Sequence, residues 1–325
     1  MIYKQVSQVD TPISAIGIGC WNFGGDWDSS NEQNSINIVH AAIDVGINLF
    51  DVAPVYGFGA SETILGKALK GKRDKVMIAS KAGILWDDKR ETRFNLTKAS
   101  ILKEIDESLA RLGTDYIDIY QMHWPDPSTP LSETAEALNE IRATGKIRYV
   151  GLSNFSQDDV AKMMEMTSVE SQQGLYNMLE RNPESYHGIP LAYRSEDEVL
   201  PAVEKWGQAY LAYSPLFQGL LAGKFLNGVD FSKSDIRNSN PKFDGGNFER
   251  YVDAARKINQ VAVDIDKPMQ QLSLNWLRQK PAVTCIIAGV SSLKQLDANV
   301  GSCDWDIDDE TMGRLDEIVA PFIND

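Results

Sequence analysis

Eight short apolar runs, each rich in Ile, Val, Tyr or Phe, recur along the 325-residue chain at 13–20, 48–53, 76–81, 117–123, 147–153, 169–174, 209–214 and 284–290. Stretches with helical spacing follow them at 31–45, 60–70, 97–112, 131–144, 156–166, 196–206, 250–280 and 292–300. A strand that pairs in parallel with the one before it needs a long crossover, usually a helix. Eight such units predict a parallel sheet, and the count of eight predicts a closed (β/α)8 TIM barrel in preference to an open doubly wound sheet. Helix punctuation agrees: Gly46, Gly113, Gly145 and Gly207 follow helical stretches as stops, and Pro268 stands where a first helical turn would begin. No composition shift marks a linker, so residues 1–325 are expected to form one domain.

The chain carries 32 Lys and Arg against 46 Asp and Glu, a net charge of −14. So acidic a surface argues against nucleic acid and anionic membranes as partners, because both need a basic footprint. Any anionic ligand must be held by a local basic patch. Cys20, Cys285 and Cys303 are too few and scattered for a disulfide framework or a zinc site, and point to a reduced, cytoplasmic setting. His40, His123 and His187 show no ligand spacing, so no metal is expected. No apolar run approaches the ~20 residues of a membrane span. The opening MIYKQVSQVDTP lacks a signal-peptide core. The glycine-rich turns GIGCWNFGG and GFGASETILGK miss the spacing of a dinucleotide fingerprint and of a phosphate-binding loop.

The chemistry-bearing residues gather at the C-terminal ends of consecutive strands. NLFDVA brings Asp51, with Tyr56 in the turn beyond it; VMIASKAG brings Lys81; IDIYQMHWPD brings His123. Adjacent strands lie ~4.8 Å apart, so Asp51 and Lys81 can pair across neighbouring strand ends. Alternate strands of a barrel share a layer, which places His123 within reach of Asp51. Together the four suit proton transfer to a carbonyl oxygen: a phenol is a poor acid at neutral pH, and a nearby ammonium eases formation of its anion. Each residue alone has an ordinary structural reading; their convergence on one rim supports the functional one.

Two connections on that same face exceed the ~2–6 residues usual for such loops, and a moderate one, AGILWDDKRETRFN, follows the third strand. The two long ones are NMLERNPESYHGIPLAYRSE after the sixth strand and PLFQGLLAGKFLNGVDFSKSDIRNSNPKFDGGN after the seventh. The last concentrates Lys224, Lys233, Arg237 and Lys242 in an acidic chain. Trp21, Trp86 and Trp124 each follow a strand on this face and are expected to line an apolar substrate pocket.

GINLFDVAPVYGFGASETILGKAL resembles the first signature of the aldo-keto reductases, and SLARLGTDYIDIYQMHWP resembles the second. IASKAG matches the segment carrying that family's lysine, and GKIRYVGLSNF its cofactor-contacting strand. WPDP after His123 and the long loop after the seventh strand resemble the bacterial and potassium-channel-β-like branches. The resemblance implies a nicotinamide-dependent oxidoreductase that reversibly reduces aldehydes, ketones or open-chain sugars. It makes Tyr56 the general acid, with Lys81 lowering its pKa, Asp51 pairing with Lys81, and His123 orienting the carbonyl. The channel-β likeness leaves a second reading, a regulatory module that holds cofactor and turns over slowly.

The same resemblance implies that Ser153, Asn154 and Gln173 bond the nicotinamide carboxamide and that Tyr213 stacks on the ring. Ser214, Leu216, Gln218, Gly219 and Leu220 would follow the pyrophosphate, with Lys224 supplying charge. Gly289, Ser291, Gln295 and Asn299 would surround the adenosine. Arg237, in an Asp-Ile-Arg segment, would reach a 2′-phosphate, which makes NADPH the expected cofactor over NADH. The chain departs from the family pattern at Gln295, where a basic residue is common, and at Ala298, where Glu is common.

Overall fold

The computed structural model describes residues 1–25, 31–228, 231 and 235–323. Its eight barrel strands are β1 (Ile16–Gly19), β2 (Leu49–Asp51), β3 (Met77–Ala82), β4 (Ile117–Met122), β5 (Ile147–Ser153), β6 (Ser171–Leu175), β7 (Ala209–Tyr213) and β8 (Cys285–Gly289). They pair in parallel in chain order, and β8 closes on β1 through Ile286↔Ile16 and Gly289↔Gly19. The fold is therefore the (β/α)8 barrel that the alternation predicts.

Period-two alternation builds two cores. Leu49, Met77, Ala79, Ile119, Leu211 and Ile287 point into the barrel, whereas Phe50, Ile78, Tyr120, Val150 and Ile286 pack outward under the helices. Helices α1 (Glu32–Asp44), α2 (Ala60–Ala68), α3 (Lys98–Leu112), α4 (Leu131–Ala143), α5 (Gln157–Met164) and α6 (Leu200–Trp206) each follow one strand. Gly113 and Gly207 end α3 and α6 at φ of 63° and 69°, a left-handed conformation that a Cβ disfavours. Among the described residues no helix is long and apolar enough to cross a membrane.

Three details differ from the sequence expectation. The single helical stretch at 250–280 is two helices, α7 (Gly245–Asp264) and α8 (Met269–Arg278). Asp266 turns left-handed at φ 51°, and Pro268, which lacks an N–H, caps the second helix. Helices α9 (Leu293–Val300) and α10 (Asp309–Val319) complete the ring. The first apolar run divides at Ala15, because its start belongs to an antiparallel hairpin, Tyr3–Val6 with Val9–Ser14. Val9 and Ile13 of that hairpin pack into the interior cluster and plug the end opposite the predicted site. Finally, the loops after β3 and β6 contain small hairpins of their own, Ile84–Trp86 with Thr92–Phe94 and Ser185–Tyr186 with Ile189–Pro190.

Candidate active site

At the C-terminal rim, Lys81 is fully buried and its Nζ donates to Asp51 Oδ1 at 2.7 Å, Tyr56 Oη at 3.3 Å and the Val52 carbonyl at 3.2 Å. Three acceptors take all three ammonium protons, which fixes the amine beside the phenol. His123 presents its ring edge-on to Tyr56, with centroids 5.9 Å apart. Its backbone N–H hangs on the Ala82 carbonyl at 3.0 Å, one residue beyond Lys81. The four residues singled out in the sequence therefore meet at one point.

Burial, with the Asp51 carboxylate next, pushes the Tyr56 phenol well above its usual 10. The expected lowering by Lys81 is thus outweighed by desolvation, and the phenol is an acid that keeps its proton at neutral pH. Burial and the Lys81 charge push His123 well below 6.5, so its imidazole is neutral. A neutral ring beside a protonated phenol can orient a carbonyl oxygen without competing to ionise.

The even-numbered strands supply the layer beneath. Asp51 Oδ2 accepts from Gln173 Nε2 at 2.7 Å and Gln121 Nε2 at 3.3 Å. Gln121 was not singled out from the sequence, although it precedes His123 by two positions and so shares its face. Gln173 is shown here bonding Asp51. Asn154, left-handed at φ 65°, donates to the His123 carbonyl at 3.0 Å and to Ser153 Oγ at 3.1 Å. Its Oδ1 accepts from Tyr213 at 2.9 Å and Tyr193 at 3.1 Å.

Of the three tryptophans, Trp21 stacks on Tyr56, centroids 5.8 Å apart at 24°. Trp86 and Trp124 pack instead on Phe58 and Phe94. The loop after β6 contributes residues that sequence reasoning passed over: Tyr186 lies edge-on to Tyr213 at 5.2 Å, and His187 edge-on to Trp21 at 6.3 Å. Two vicinal aromatic residues in a long loop on the active face were the available signal. Burial and Lys242 push His187 down to about 4, so it too is neutral.

After β7 the backbone is left-handed at Ser214, Phe217, Gln218 and Gly219. Leu216 caps a short turn, Phe217–Ala222, in which Leu220 is buried. Gln218 meets His187 at 2.6 Å. A Cβ built on Gly219 would lie 3.2 Å from Lys224 Cδ and 3.9 Å from Arg237 Nη1, so both side chains flank that glycine. Arg237 Nε also donates to Asp235 Oδ1 at 2.8 Å, and Lys242 pairs with Glu180 at 2.6 Å. Lys233 lies outside the described residues. At the end of β8, Gly289 is exposed, and the side-chain Oε1 of Gln295 accepts from both the N–H and the O–H of Ser291, at 2.7 and 2.8 Å. Asn299 is fully buried.

Comparison with known proteins agrees with this fold. The model of the Aldo/keto reductase family matches residues 15–320. An aldo-keto reductase of Bacillus subtilis is 36% identical, with 100% of this chain and 96% of that protein covered. An NADH-specific methylglyoxal reductase of Escherichia coli is 32% identical over 92% of this chain and 93% of its own. The solved glycerol dehydrogenase of Gluconobacter oxydans superposes with a TM-score of 0.87 at 34% identity, covering 99% of this chain and 96% of that one. With a match that runs nearly end to end and a buried Asp–Lys–Tyr cluster on the barrel rim, the chain belongs to the aldo/keto reductase family, nicotinamide-dependent oxidoreductases of carbonyl and sugar compounds.

Proposed function

We propose that this protein is an NADPH-dependent carbonyl reductase in which Tyr56 protonates the substrate oxygen. The observation that carries the reading is the Lys81 ammonium, buried and shared between Asp51 and the Tyr56 hydroxyl. Tyr56 donates its proton to the carbonyl oxygen of a small substrate, and Lys81 stabilises the phenolate left behind. Asp51 holds Lys81 in place and is itself fixed by Gln121 and Gln173. His123 orients the carbonyl as a neutral ring, and Trp21, stacked on Tyr56, would form an apolar wall to which Trp86 and Trp124 are assigned in the same reading.

The residues present fit a nicotinamide dinucleotide. Nδ2 of the buried Asn299 has no hydrogen-bond partner among the described residues, a donor suited to an adenine nitrogen. A Cβ on Gly289 would meet nothing within 4 Å, so the end of β8 opens onto free space. Ser153, Asn154, Gln173 and Tyr213 would hold the nicotinamide. Ser214, Leu216, Gln218, Gly219, Leu220 and Lys224 would hold the pyrophosphate, and Gly289, Ser291, Gln295 and Asn299 the adenosine. When bound, the cofactor supplies the hydride. NADPH is preferred in this reading because Lys224 and Arg237 stand together on Gly219, where a guanidinium can hold two phosphate oxygens. We read residues 1–325 as one domain acting in the cytoplasm.

The test is steady-state oxidation of reduced cofactor against a panel of aldehydes, ketones and open-chain sugars, with NADPH and NADH side by side. Turnover with a higher kcat/KM for NADPH is expected. Binding of cofactor without turnover on any carbonyl would instead favour the regulatory module, and a preference for NADH would remove Arg237 from its assigned task.

A further inference from the structure

Helix α3 carries a buried carboxylate that the proposed chemistry leaves unused. Glu104 is 4% exposed. Its Oε2 accepts from the Gly83 N–H at 2.9 Å, and its Oε1 from Ser100 Oγ at 2.9 Å. Gly83 follows the last residue of β3 and turns the chain, at φ 95°. One position back, the Ala82 carbonyl holds the His123 N–H; two back is Lys81. Glu104 also lines one small space together with Lys81, His123 and Ile84.

We propose that Glu104 is a positioning residue: by gripping the Gly83 N–H, its carboxylate sets the strand end from which both Lys81 and His123 are hung. A charge-assisted bond to a backbone N–H holds harder than a neutral one, so the grip tightens when Glu104 is ionised. Burial lifts this carboxyl from 4.5 to about 7, against the pull of the Gly83 and Ser100 bonds. The groups that face it are Glu107 and Arg111 on its own helix, Tyr120 on β4, and Lys81 and His123 across the small space. Tyr56 and His123 are displaced away from neutrality in opposite directions, so neither supplies a limb there. Protonation leaves a partial grip, because Ser100 can turn its hydroxyl round to accept the new proton while Oε2 stays on Gly83.

This inference rests on the Tyr56 reading, and the two separate experimentally. The experiment measures kcat for carbonyl reduction against pH in wild type, Glu104→Gln, Ser100→Ala and Tyr56→Phe. Wild type is expected to lose rate as pH falls through about 7. Glu104→Gln should lack that limb and run about fivefold to tenfold slower at pH 8, with KM little changed. Ser100→Ala, which loses a bond favouring the carboxylate, should move the limb to higher pH. Urea unfolding without added cofactor gives a second readout. A raised carboxyl contributes stability that is present below 4.5 and lost as pH rises through about 7, so Glu104→Gln should gain on wild type between about pH 5 and 8. A limb unchanged in both Glu104→Gln and Ser100→Ala, with Tyr56→Phe inactive, overturns the role of Glu104 alone. An active Tyr56→Phe overturns the reading on which it rests.

Discussion

The rim made by β2, β3 and β4 and the loop after β7 hold their groups in contrasting ways. On the rim, Asp51, Lys81 and His123 hang from consecutive strand ends, and each is fixed by a neighbour on another strand. In the loop, the contacts come from left-handed backbone at Ser214, Phe217, Gln218 and Gly219, and from short turns such as Ile236–Ser239 and Pro241–Phe243. Its side chains tie loop to loop: Gln218 to His187, Lys242 to Glu180. A closed sheet holds reacting groups at fixed separation, whereas irregular backbone offers amides and cations to a ligand that must enter and leave. Substitutions on the rim should therefore act on kcat, and substitutions in the loop on cofactor affinity.

The largest effect that would break this division is expected from Lys81→Met. It should cost kcat ~10²–10⁴-fold while leaving the cofactor dissociation constant within about twofold, because the groups the ammonium bonds, Asp51, Tyr56 and the Val52 carbonyl, are none of them assigned to the cofactor. Cofactor titration alongside turnover checks both halves, and equal losses in the two would contradict the division. Asp51→Asn should be milder by about an order of magnitude, since Asp51 works through Lys81 and the amide keeps one acceptor. A pH–rate profile distinguishes them: the Asn variant should retain the wild-type shape at lower amplitude.

Arg237→Ala tests the other side. NADPH binding should weaken by about 1.5–3 kcal/mol for a lost charge-assisted pair, with NADH binding and kcat nearly unchanged. Equal weakening of both cofactors would return Arg237 to a purely local role, its bond with Asp235. The smallest effect serves as a control. Gly113→Ala, at φ 63° with open space around the added carbon, should lower unfolding stability by about 1 kcal/mol and alter neither kcat nor cofactor affinity.

What the sequence made legible follows the same boundary. The barrel and the rim residues Asp51, Lys81 and His123 could be read because a strand end has a fixed address: an apolar run, an alternation, and a polar residue where the run stops; Tyr56 was read from the turn just beyond β2. Gln121 obeyed that rule and was still missed, since a glutamine two places before a histidine has no distinctive chemistry until its Asp51 partner is known. The partner of Glu104, a backbone N–H, leaves no trace in the sequence at all. The break between α7 and α8 was masked by helical spacing that continues across it, with Pro268 as the one signal. In the loops, the meeting of His187 with Trp21 and of Lys242 with Glu180 depends on how two long segments fold onto each other, which neither segment encodes alone.

The central claim, that Tyr56 delivers the proton from its place on Lys81, is tested most directly by single-turnover oxidation of prebound NADPH by a carbonyl substrate, in wild type and Tyr56→Phe. The ring and its stacking on Trp21 survive in the variant, and only the hydroxyl is removed. The expected result is a rate lowered by ~10²–10⁴-fold with the NADPH dissociation constant unchanged. A Phe variant that consumes NADPH at the wild-type rate would contradict it.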